Sequence, residues 1–253
     1  VEEQHKKVIA AEFESCITRT IGRLENQETN RPFHTALLSS DALFWSRFER
    51  SFSTSFGQSV IEKISKVVAL AGGATSAINQ KSTLFTLSSA QLAAVNNHIN
   101  GLREGRVGRA LNFESDLAIV VAEAGQDGHQ EDVRVISDLW WLKDGINHYM
   151  SIKTVKPNID QTAEAKRDLL KLKLYDPACR VFFGLYYNPY GERREDYGWT
   201  PPQGVFNFRA DPVVLIGRDY WDELGGAGCY DEVIEIAEEC GTRTRLLVEQ
   251  LSR

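Results

Sequence analysis

Two arms of alternating residues meet at Asp144-Gly145, inside the stretch VISDLWWLKDGINHYMSIKTVKPNIDQ at residues 135–161. That dipeptide is a preferred two-residue hairpin turn, because both central residues must take positive φ and Asp-Gly tolerates it. The turn sets the register of everything outside it. Lys143 pairs with Ile146, Trp141 faces His148, Leu139 faces Met150, and Asp138 falls opposite Ser151. Directly opposed side chains share a face, with Cβ atoms about 4.5–5.5 Å apart. Lys153 lies two residues beyond Ser151 and therefore points to the same face. A slip of one residue would undo the arrangement. The expected hairpin thus carries a carboxylate, a hydroxyl and an ammonium side by side, on a strand that an apolar run would have made cheaper to bury. An ion pair, a solvated face, or a metal-and-phosphate site would each account for it.

The rest of the chain gives that hairpin its setting. The first third reads mainly as helix, with Val60, Ile61, Ile64, Val67, Val68 and Ala71 forming one buried stripe that Gly72-Gly73 stops. SSAQLAAVNNHINGL is a second helix, capped at Ser88 or Ser89. ESDLAIVVAEAG reads as a short strand. After the hairpin, DQTAEAKRDLLKLKLY is a helix with Ala165, Leu169 and Leu172 inward, RVFFGLYYN a central strand, PVVLIG another strand, and the tail from Tyr230 to Leu251 a helix. The expected architecture is α/β (α+β): one domain over residues 1–253, mainly helical in 1–110, with the sheet core in 111–253.

Composition excludes several functions. A net charge of −6 argues against coating nucleic acid by bulk charge, though not against a local basic cleft. No apolar run approaches the roughly 20 residues needed to span a bilayer. The charged, helical N-terminal pattern does not read as a secretory signal, so an intracellular, cytoplasmic protein with no membrane partner is expected. Cys16, Cys179, Cys229 and Cys240 form no CxxC pair, and the five histidines do not cluster. Nucleotide-cradling and GxSxG motifs are absent.

Chemically, a carboxylate binds a hard divalent cation through oxygen, and a neighbouring lysine orients water or offsets charge on phosphate. At these residues the chain resembles a known family. ISD, followed across the hairpin by SIKTVKPNIDQ, is similar to the PD-(D/E)xK nuclease core of type II restriction endonucleases. FERSFSTSFGQSVIEKIS and LYYNPYGE resemble the group that cuts GGNCC-like sites, and the likeness runs with gaps from Phe48 to Gly191. The resemblance implies a restriction-endonuclease-like mixed β-sheet flanked by helices. It also implies Mg²⁺-dependent hydrolysis of both strands of double-stranded DNA at a short palindrome. A bacterial or archaeal homodimer, with a cognate DNA methyltransferase as genetic partner, goes with that activity.

Carried over residue by residue, the resemblance makes Asp138 the metal-binding aspartate and Lys153 the motif lysine. Ser137 stands where proline is frequent. Ser151 stands where a second acid is usual, so the site is short of one negative charge. Either Glu164, on the helix after the hairpin, or Glu62, beside the buried stripe of its own helix, is expected to supply it. Surface pairing is the alternative for both: Glu164 with Lys166 or Arg167, Glu62 with Lys66 four residues on. Glu114 and Asp116 read as caps, and His148 as structural.

DNA contacts are expected from basic loops, since arginine reads guanine edges and lysine holds phosphates. GERREDYGW offers Arg193, Arg194 and Tyr197; GLREGRVGR offers Arg103, Arg106 and Arg109; Lys156 lies just past the hairpin. A solvated charged loop is the alternative for each. Two other functions fit the same residues: an inactive DNA-binding protein on a nuclease fold, with Ser151 as the trace of lost catalysis, and a structure-specific repair or recombination nuclease.

Overall fold

The hairpin forms in the expected register. In the computed structural model, which describes residues 1–25, 30–105, 112–125 and 128–250, Asp144 and Gly145 take φ of 52° and 73°. They join β2 (Gln130–Lys143) to β3 (Ile146–Lys153), pairing Lys143 with Ile146, Trp141 with His148 and Leu139 with Met150. Three more strands complete the sheet: β1 (Ser76–Ser88), β4 (Arg180–Leu185) and β5 (Val214–Ile216), in the order β1-β2-β3-β4-β5. β1, β2 and β3 are antiparallel, while β3, β4 and β5 are parallel. The parallel step from β3 to β4 requires a crossover, which α7 (Ile159–Tyr175) supplies. Its start is set by a capping box between Asn158 and Gln161.

Helices cover both faces of this mixed sheet, as the expected architecture requires. On one side, Leu139, Trp141, Met150, Ile152 and Phe182 pack with α1 (Glu3–Glu25), α4 (Ile61–Ala71), α8 (Arg218–Gly225) and α9 (Cys229–Gln250). On the other, Val133, Val135, Tyr149, Val181, Phe183 and Leu185 pack with α5 (Ser89–Arg103), α6 (Phe113–Glu123) and α7. Val135 and Leu139 are both odd-numbered on β2 yet belong to different cores. The strand changes the face it buries between them, where β2 leaves β3 and continues as a two-stranded ribbon with β1. Two-stranded ribbons twist more than wide sheets.

Two features depart from the sequence reading. Residues 113–123 are the helix α6, not a strand, and the Asn112 side chain caps it by accepting from the Ser115 amide. Its apolar run, Leu117 to Ala122, is short enough to suit either element, and the cap decides. β1 lies within the stretch read as mainly helical, and pairs along most of the length of β2. Of the expected stripe, Ile61, Ile64 and Val68 are buried in α4, whereas Val67 and Ala71 are half-buried; Gly72 at the helix end is required by packing, since a Cβ there would stand 2.1 Å from the Leu224 carbonyl oxygen. A single π-helical turn, Phe56–Val60, leads into α4 from α3 (Ser40–Ser55), which follows the short α2 (Pro32–Leu37). No helix among the described residues is long and apolar enough to cross a membrane.

Candidate active site

The site begins where a ladder ends. Main-chain pairing of β2 with β3 stops at Leu139–Met150. Asp138 is next, and its carboxylate takes the place of a strand partner. Oδ2 accepts the Ile152 amide at 2.7 Å, the Ser151 hydroxyl at 3.3 Å and Lys153 Nζ at 3.0 Å. Asp138, Ser151 and Lys153 therefore converge as the hairpin geometry required. The ion pair is neither fully buried nor freely solvated, with side-chain exposures of 18% for Asp138 and 24% for Lys153. With three donors on Oδ2, the other oxygen, Oδ1, takes its partner from outside β3.

β1 closes the other flank. By register Gln80 falls opposite Asp138, between the pairs Asn79–Leu139 and Lys81–Ser137. Its φ of 51° is left-handed, an uncommon state for a residue with a Cβ. Gln80 Nε2 donates to Asp138 Oδ1 at 3.1 Å and to Glu62 Oε2 at 2.9 Å. Asn79 beside it donates from Nδ2 to the Glu62 main-chain carbonyl at 2.7 Å, which ties the start of α4 to the sheet. Burial pushes the Glu62 carboxyl above its ordinary range. The Gln80 hydrogen bond and Lys153 pull it back, while Asp138 pushes further up. Gln80, Asp138 and Lys153 are all neighbours in the same site. Behind it, the fully buried Tyr220 hydroxyl meets Ser65 Oγ at 2.5 Å, and burial, together with Asp138 and Glu62, holds its pKa far above the phenol range.

Of the two glutamates weighed for the missing acid, Glu62 is thus brought to Asp138 through a shared donor. Glu164 is 59% exposed and pairs with Arg167, one of its two surface alternatives. Lys166, the other, is fully buried and bonds Asp116 and the Val205 carbonyl. Asp116 is accordingly not a helix cap but the centre of a buried His98–Asp116–Lys166 network. Burial alone would raise its pKa, and the hydrogen bonds and charge of His98 and Lys166 outweigh that, so the net shift is down. His148 stacks on Trp141 at 4.8 Å, a structural role as expected.

The basic-loop residues divide. Lys156 Nζ lies over the rings of Tyr190 and Trp199, at 5.4 and 5.7 Å, just past the C-terminal end of β3. Arg193 is 75% exposed beside Asp196, and Arg103 reaches Asp160 at the start of α7. Arg106 and Arg109 lie outside the described residues. Tyr197 and Arg194 do not project into solvent. Tyr197 is fully buried, stacks on Phe208, and donates its hydroxyl to the Val155 carbonyl at 2.9 Å. Arg194 gives its guanidinium to the Phe208 and Asp211 carbonyls. Both pin a loop that looked solvated in a polar sequence, so neither is placed to enter a groove.

Sequence reasoning missed Gln80 and Asn79, because the strand that carries them was not recognised. The oxygen-only pair of Asp138 and Glu62 suits a hard divalent cation such as Mg²⁺, with Lys153 adjacent to supply positive charge. No group of three or more His, Cys, Asp or Glu gathers as a metal site among the described residues. The fit therefore rests on two carboxylates together with main-chain and water oxygens, the usual habit of Mg²⁺.

Comparison with known proteins identifies the family of the chain. Type II restriction enzyme HgiCII of Herpetosiphon aurantiacus is 28% identical over 216 residues, covering 83% of this chain and 77% of the relative. HgiEI from the same organism is 29% identical over the same shares. No solved structure matches the chain. The family described as "Type II restriction endonuclease, HinfI" matches residues 1–241, nearly the whole length, and the chain belongs to that family of site-specific deoxyribonucleases.

Proposed function

We propose that this enzyme hydrolyses both strands of double-stranded DNA at a short palindromic site, with Mg²⁺ held by Asp138 and Glu62. The observation that carries this reading is the convergence of two carboxylates and a lysine at the point where β1, β2 and β3 part. Bound there, the ion supplies Lewis-acid charge to the scissile phosphate. The chain's own residues do the rest. Lys153, fixed by Asp138 Oδ2, directs its remaining N–H donors toward the attacking water and the phosphate oxygens. Ser151 does not replace the usual acid; its hydroxyl, with the Ile152 amide, fixes Asp138 Oδ2 and leaves Oδ1 to partners outside β3. Glu62 is the acid supplied from elsewhere, in preference to Glu164.

Lys156, on the strand exit beside Tyr190 and Trp199, is placed to hold a backbone phosphate near the cut. Arg193 and Arg103 are the further candidates for DNA contact. A palindromic site calls for a twofold homodimer, each protomer cutting one strand. The protein would work in the cytoplasm beside a cognate DNA methyltransferase. Incubation with phage DNA tests the reading: discrete fragments with Mg²⁺ and none with EDTA are expected. A gel shift without cleavage under both conditions would overturn it.

A further inference from the structure

Gln80 is not explained by the fold. A left-handed glutamine inside a strand is strained and persists only where its surroundings enforce it, most often at functional sites. Here the strained residue places one nitrogen between two carboxylates, 2.9 Å from Glu62 Oε2 and 3.1 Å from Asp138 Oδ1. Like charges brought together repel, and an amide NH₂ has two hydrogens, one for each. The oxygens it satisfies are those left over. Asp138 Oδ2 is taken by Lys153, Ser151 and Ile152, whereas Oδ1 has Gln80 as its partner among the described residues.

We infer that Gln80 is a placeholder for the metal: its side-chain amide bridges the Asp138 and Glu62 carboxylates in the ion-free enzyme and must withdraw from between them when a divalent cation enters. Gln80 is then a positioning residue that opposes metal binding rather than a ligand. It is separable from the anchoring of Glu62, because Asn79 holds the Glu62 main chain independently. Removing the amide leaves both acids in place, facing each other without a donor between them, and a cation gains what the amide supplied.

The inference rests on the Asp138–Glu62 reading, and the test distinguishes the two. The probe is Mn²⁺ alone, with free ion counted by electron paramagnetic resonance on the DNA-free enzyme. Gln80→Met keeps the length without donors; Gln80→Gly also relieves the positive φ, and so guards against a failure to fold. Both variants are expected to bind Mn²⁺ more tightly, by on the order of tenfold given the strength of hydrogen bonds to charged groups; Gln80→Met, which keeps the strained φ, is also expected to melt lower than wild type without metal. Unchanged or weaker Mn²⁺ binding in the folded variants overturns the placeholder role. Wild-type Mn²⁺ affinity in Asp138→Asn and Glu62→Gln would instead remove the site itself, and the inference with it.

Discussion

Lys153 Nζ stands 3.0 Å from Asp138 Oδ2 although no main-chain ladder joins their strands at that level. The contact is made because the Asp138 carboxylate also accepts the Ile152 amide, so side chain and backbone of β3 converge on one oxygen. Part-buried as it is, the pair loses hydration for the contact it gains, so stability alone does not account for the arrangement.

Asp138→Asn separates those two contributions. The variant should fold, with a loss of about 1–2 kcal/mol from mispaired donors at the amide. Cleavage should fall by about a thousandfold or more, since the charge that holds the ion and orients Lys153 is gone. Urea denaturation beside single-turnover cleavage checks both. A variant that cuts at near wild-type rate would contradict the assignment of Asp138.

Glu62→Gln and Glu164→Gln should differ sharply. Glu62 shares Gln80 with Asp138, while Glu164 pairs with Arg167 on the exposed side of α7. The first change should cost about a hundredfold or more in cleavage rate and weaken the metal dependence. The second should leave the rate within about twofold, as expected for an exposed pair. The reverse order in a metal titration of cleavage would hand the second acid to Glu164.

Tyr197→Phe tests the corrected role of the 191–199 loop. The hydroxyl donates to the Val155 carbonyl inside the core. Losing it should cost about 1 kcal/mol of stability and leave DNA affinity unchanged. A large affinity loss with unchanged melting would place Tyr197 on DNA after all.

His148 sets a pH dependence. Burial, with the charges of Arg180 and Lys143, lowers its pKa against the raising effect of the Ile146 carbonyl. The native state therefore holds it neutral where the unfolded chain, at about 6.5, takes a proton. The stability it contributes is complete above that value and is lost as pH falls from about 6.5 toward the lowered native pKa. His148→Phe, which keeps a ring on Trp141, should flatten the decline in melting temperature between pH 7 and pH 5. An equal decline in both proteins would contradict this.

The β2–β3 hairpin was legible because its turn is local: Asp144-Gly145 fixes the register, and register fixes which side chains meet. The strand β1 was not, because SAINQKSTLFTLS buries few of its residues and exposes Leu84 at 73%. A ribbon half in water lacks the apolar rhythm that marks a strand. With β1 unseen, Gln80 and Asn79 were invisible, and so was the reason to prefer Glu62 over Glu164. Tyr197 and Arg194 misled for the opposite reason, since GERREDYGW is polar in sequence yet its tyrosine lies under the loop. Local chemistry brought Asp138 and Lys153 together, and tertiary contact through Gln80 brought Glu62 to them.

The central claim is that Lys153 acts in catalysis from its place beside Asp138. Lys153→Ala, assayed in parallel for cleavage with Mg²⁺ and for binding with Ca²⁺ to the same DNA, tests it most directly. The expected result is loss of cutting with binding retained. Full cleavage by that variant would contradict the account.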